Sequence, residues 1–151
     1  MATPTSILVP IVQSEASFDA VTIAATLAKQ KKGHVYVVHV IEVNRSLPLN
    51  AELEAEARRG EQLVRRAEEV AASAGHPVSG TLLQAREAGE AIVEEARDHG
   101  VEAIIMGVPT RRTGGSSQLG RTADFVLKNA TCAVWVVRQS MTPRPADHLH
   151  E

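Results

Sequence analysis

The run Val101-Glu102-Ala103-Ile104-Ile105-Met106-Gly107-Val108-Pro109-Thr110-Arg111-Arg112-Thr113-Gly114-Gly115-Ser116-Ser117-Gln118-Leu119-Gly120-Arg121-Thr122-Ala123 decides how the rest of this chain is read. Its apolar stretch, Ala103 to Met106, stops at Gly107 and gives way to a polar loop. Gly120-Arg121-Thr122 then opens a helical pattern to about Asn129, and a second apolar run extends from Cys132 to Val137. Strand, glycine-rich loop, helix, strand is the order of a phosphate-binding crossover. Glycines permit tight turns and present bare N–H groups to an anion. The following helix aims its partial positive end at the same place.

Working outward, Ile7 to Val12 is a continuous apolar run, which reads as a strand buried on both faces. Pro10 lacks the N–H of an interior ladder, so it belongs near the carboxyl end of that strand. Ser14 or Ser17 can cap the next helix, whose apolar face includes Phe18, Val21, Ala25 and Ala28. Lys29, Lys31, Lys32 and then Gly33 end it, cations at the negative pole and glycine at the stop. His34 to Ile41 is the second strand. A loop with Pro48 leads to a long helix over about 51–74.

In that helix Leu53, Ala57, Gly60, Val64, Ala67, Ala71 and Ala74 fall on one side. The stripe admits a coiled coil, but its small residues favour close packing on a sheet. Glu54 with Arg58 and Glu61 with Arg65 are spaced for ion pairs on the outer side. Val78 to Gln84 is a weaker third strand, suited to a sheet edge, and Ala88, Ala91, Ile92 and Ala96 mark a third helix closed by Gly100. Strands therefore alternate with helices through the chain, which implies an α/β fold, an open five-stranded parallel sheet with helices on both faces. From Gln139 onward no pattern could be buried, so residues 139–151 are expected to be a disordered tail.

Composition narrows the function. With 151 residues and 44% apolar content the chain suits one globular domain. A net charge of −2 argues against nucleic acid as a partner. The charge is uneven: between Gly107 and Lys128, Arg111, Arg112, Arg121 and Lys128 stand against Asp124 alone. A basic loop on an acidic body fits a small anionic ligand, or else it is simply a solvated loop. Cys132 is the single cysteine, which excludes an internal disulfide and a CxxC motif. It reads as apolar filling ahead of a reactive thiol. No signal peptide is visible, and no apolar run approaches the ~20 residues that span a bilayer. The expected compartment is the cytoplasm, without membrane insertion.

Gly107, two residues, Thr110, nine residues, then Gly120 resembles the Gly-x2-Gly-x9-Gly-Ser/Thr signature of the universal stress protein family. Ser6 to Glu15 is similar to that family's opening strand and turn, and Ala123 to Val137 to its closing helix and strand. The resemblance covers residues 6–138, within a domain taken as 1–138. It implies strand order 3-2-1-4-5, a Rossmann-like sheet of the adenine nucleotide alpha hydrolase-like type. Ligands would then lie beyond the carboxyl ends of strands one and four, where the order reverses.

The same resemblance implies that Pro10, Ile11, Val12 and Val40 line a base pocket, with Gly107, Gly120 and the amides that follow meeting ribose and phosphates. Three positions depart from the pattern. Val12 stands where nucleotide-binding members carry aspartate, Thr110 replaces the second glycine, and Arg121 replaces the final serine or threonine, with Thr122 adjacent. Arg111, Arg112 and Arg121 offer charge-assisted phosphate contacts in exchange.

The primary expectation is therefore a stress-response or regulatory module that binds ATP, AMP or a related phosphate ligand. The rival is a degenerate module that acts through protein contact alone. By resemblance its last strand, with Val134, Trp135, Val136 and Val137, would pair across a two-fold axis in a homodimer; alternatively Trp135 is a plain core residue. A third reading is kinship with stress-type domains that accompany membrane transporters.

No nucleophile–base–orienter set is present, and acidic residues do not cluster at the expected crevice, so no enzyme is expected, slow ATP hydrolysis aside. Neither a Walker loop nor a Rossmann Gly-x-Gly-x-x-Gly occurs. Among the six histidines, His34 and His39 face opposite ways on one strand and His148 and His150 lie in the tail, so no metal is expected.

Overall fold

A computed structural model describes residues 3–109 and 120–140, together with the backbone of 112–113 and 116–117. The elements run β1 (Ser6–Pro10), α1 (Glu15–Lys31), β2 (His34–Glu42), α2 (Glu54–Ser73), β3 (Gly80–Ala85), α3 (Ala88–His99) and β4 (Ala103–Val108). A two-residue pair follows, β5 (Arg112–Thr113) and β6 (Ser116–Ser117), then α4 (Arg121–Asn129) and β7 (Ala133–Arg138). The five longer strands form one parallel sheet in the order β3-β2-β1-β4-β7. This is the expected 3-2-1-4-5 arrangement, with β7 as the fifth strand. The antiparallel β5–β6 pairing lies in what the sequence read as plain loop.

Alternation along the strands splits the core in two. Ile7, Val9, Val35, Val37 and Ile105 pack beneath α1 and α2, while Leu8, Val38, Ile104 and Met106 pack beneath α3 and α4. The stripe on α2 faces the sheet, with Gly60, Val64, Ala67 and Ala71 buried. A side chain at Gly60 would press on Leu82 and His39, so the small residue brings this helix close to β2 and β3. The ion pairs of α2 differ from the expected ones: Arg59 meets Glu56 at 3.7 Å, and Arg66 meets Glu15 of α1 at 2.8 Å. Arg66 also lies 4.0 Å over the Phe18 ring, so tertiary packing overrides the helix-surface spacing.

Helix ends follow the sequence with one exchange. Ser14 caps α1 by accepting the Ser17 amide. At its other end Lys32, with φ 52°, holds the left-handed position that the sequence assigned to Gly33. Gly33 is needed for another reason: a β-carbon there would overlap the Thr5 carbonyl. No helix among the described residues is long and apolar enough to cross a membrane. Residues 141–151 of the expected tail lie outside the described residues.

Candidate functional site

The sheet order reverses between β1 and β4, and a cavity of about 520 Å³ opens beyond their carboxyl ends. Pro10, Ile11 and Val12 form one wall, Val40 of β2 a second, and Gly107, Val108 and Pro109 a third. Gly120, Arg121 and Thr122 close it from the α4 side. Eight of the residues singled out from the sequence thus meet in one place. Thr110 and Arg111 lie outside the described residues, and Arg112 is described only as backbone of β5. Sequence reading missed Ala88 and Ile92 of α3 and Met106, which complete the apolar side of the cavity. The Ala88-Gly89 pair was the available signal. A side chain at Gly89 would strike Phe125, so small residues let α3 approach α4 beside the cavity.

The β1–α1 wall is held from behind. The Ile11 amide donates to the Val38 carbonyl at 2.8 Å, and the Val12 amide to the Ser17 hydroxyl oxygen at 3.0 Å. Ser17 is fully buried, and its oxygen also accepts the Ser14 hydroxyl at 3.2 Å. His39 Nδ1 lies 2.8 Å from the Ile11 carbonyl. That oxygen can only accept, so Nδ1 carries the proton. The Val12 side chain itself is 51% exposed at the cavity rim.

The two glycines of the motif do different work. Gly107 continues the β4 ladder opposite Val137. It is required because a β-carbon would run into the Ala16 carbonyl group and the Ser17 amide, so it seats the first turn of α1 against β4. Gly107 thus shapes the cavity by packing and also lines it, as the sequence expected. Gly120 fulfils the other role. It precedes α4 with φ 91° and ψ 164°, a region open only to glycine, and as the N-cap residue it brings no side chain to the helix start. Among the described residues, the first-turn amides of α4 therefore face the cavity mouth without a side-chain acceptor.

Electrostatics at the mouth centre on Arg121, whose Nη2 lies 3.4 Å from Glu42 Oε1. The other oxygen of Glu42 accepts the Ala88 amide at 2.9 Å and so caps α3. The sequence placed no acidic residue here, and the reason is that Glu42 meets its partners only in the fold. Cys132 lies away from this cavity, at the amino end of the sheet, where burial pushes its thiol pKa up and keeps it protonated. No group of three histidine, cysteine, aspartate or glutamate side chains that could hold a metal ion occurs among the described residues.

Comparison with known proteins agrees with this architecture. A universal stress protein of Methanocaldococcus jannaschii is 31% identical over 140 residues, covering 88% of this chain and 81% of that protein. The universal stress protein from Archaeoglobus fulgidus in complex with dAMP superposes with a TM-score of 0.72 at 20% identity, over 90% of this chain and 99% of its own. A universal stress protein in complex with cAMP gives a TM-score of 0.71 at 18% identity, over 92% of this chain and 100% of its own. Residues 4–138 match the model of the universal stress protein family. Taken with the strand order and the relative from Methanocaldococcus jannaschii, this match establishes that the chain belongs to the universal stress protein family.

Proposed function

We propose that the cavity at the ends of β1 and β4 binds an adenine nucleotide, ATP or AMP in type, and that the protein is a stress-response or regulatory module. One observation carries the reading: an apolar-walled space large enough for a base opens onto a helix start that follows a glycine-only backbone turn and, among the described residues, has no side-chain cap. Apolar walls suit the flat base, and free amides suit phosphate oxygens. The dAMP and cAMP complexes of family members support the same ligand class. Pro10, Ile11, Val12 and Val40 contact the base in this reading. Gly107, Thr110, Arg111, Arg112, Gly120, Arg121 and Thr122 serve ribose and phosphate, and Gly107 also shapes the pocket. The module acts by binding, without catalysis and without a metal, in the cytoplasm. Calorimetry with AMP, ATP and cyclic AMP tests this, with heat expected below about 1 mM ligand; silence of all three at that concentration rejects it.

A second reading is favoured by the sheet edge. Among the described residues β7 pairs only with β4, and Val136 on it is 36% exposed, whereas Trp135 and Val137 pack on the core beneath α1. An apolar edge of this kind is normally covered. The protein is then a homodimer joined along β7, through Val134 to Val137, and acts through protein contact. A monomeric mass at tens of micromolar would argue against that assembly.

A further inference from the structure

The rim of the cavity holds a carboxylate with two different attachments. Glu42 ends β2; its Oε2 accepts the Ala88 amide at 2.9 Å, and its Oε1 faces the Arg121 guanidinium at 3.4 Å. Ala88 opens α3 and Arg121 opens α4, and both line the cavity. One side chain therefore ties two helix starts across the mouth. The attachments differ in permanence. The Ala88 amide is fixed in the backbone, whereas the Arg121 side chain is 84% exposed, so its ion pair is readily exchanged for another anion.

Among the described residues, Arg121 is the only charged side chain lining the cavity. With Glu42 beside it, that charge is already matched. A phosphate arriving at the start of α4 competes with Glu42 for the guanidinium and also meets its negative charge. The opposition grows with the charge the ligand carries. We propose that Glu42 is a specificity-determining gate that biases this site toward adenine nucleotides with one phosphate and against triphosphates; the inference rests on the nucleotide reading above.

The test is calorimetric titration of the full chain and its Glu42→Gln variant with adenosine, AMP and ATP. Glutamine keeps an oxygen for the Ala88 amide and removes the charge. Adenosine affinity is expected to stay the same, and AMP to bind about two- to fivefold more tightly, the range of an exposed ion pair. ATP is expected to gain more than AMP, and both gains to shrink in high salt. In an Arg121→Gln background the same substitution is expected to help AMP less. Equal changes for all three ligands would make Glu42 a structural cap and overturn the gate, as would no change at all; nucleotide binding by the parent protein would survive either result. Tighter binding of ATP than AMP by the unmodified chain overturns the gate whatever the variant does. If the unmodified chain takes up none of the three, the nucleotide reading and the gate fall together.

Discussion

Two carboxylates sit at opposite ends of this sheet, and their surroundings differ in a telling way. Glu102, at the amino end, accepts the Thr5 amide at 3.0 Å, the Thr5 hydroxyl at 2.9 Å and the Ser6 amide at 3.2 Å. All three donors come from the start of β1, so this carboxylate is spent on holding the chain together. Glu42, at the carboxyl end, holds one amide and one exposed guanidinium, beside a helix start that no side chain among the described residues caps. Glu102 is taken up by that strand start, whereas at Glu42 the described residues leave donors at the start of α4 for something else. A parallel sheet creates both ends together, and only side-chain chemistry makes one of them structural and the other receptive.

Substitutions can break or sharpen this contrast. The largest effect is expected from Gly107→Ala, because the new methyl meets backbone of α1 and no flexible side chain can yield. Urea unfolding should show a loss of about 2–4 kcal/mol. Gly120→Ala has open space around it but the wrong dihedral angles, so a loss of about 1–3 kcal/mol is expected, with weaker AMP binding alongside. If Gly120→Ala cost nothing, the positive-φ turn ahead of α4 would not be what holds the receptive end in shape.

Next in size is Glu42→Ala, which removes the α3 cap and should cost about 0.5–2 kcal/mol in the same measurement. Smallest is Glu102→Gln. The Thr5 amide, then the Thr5 hydroxyl and the Ser6 amide, hold the Glu102 carboxyl below its ordinary value of 4.5. A depressed acid stabilises the fold above its unfolded pKa, and that contribution disappears as pH falls through the folded value. Glu102→Gln should therefore lower the melting temperature slightly at neutral pH, and the gap should close below about pH 4. A gap that persisted in acid would mean the carboxylate is not what ties Thr5 and Ser6 down.

Most of the fold was legible because its signals are local. Runs such as Ile7 to Val9 and Val35 to Val38 declare buried parallel strands, and Pro10 marks where pairing can stop. The alternation of strands and helices then leaves few topologies. The site was legible where a residue's role depends on its own backbone, as at Gly120. It was not legible where the role depends on a distant segment. Glu42 acquires its meaning from partners 46 and 79 positions away. Gly107 was noticed for its spacing, but its packing role was not legible, since nothing in the linear order places Ala16 over it. Arg66 likewise leaves its own helix to join Glu15 and Phe18.

The Ser17 hydroxyl has a consequence for how a ligand would be received. It is fully buried and accepts the Val12 amide, so that stretch of wall cannot swing outward without stranding a polar group in the interior. On this side the receptor is preorganised: a guest meets a surface already in its final shape, and no entropy is lost there in moulding the host.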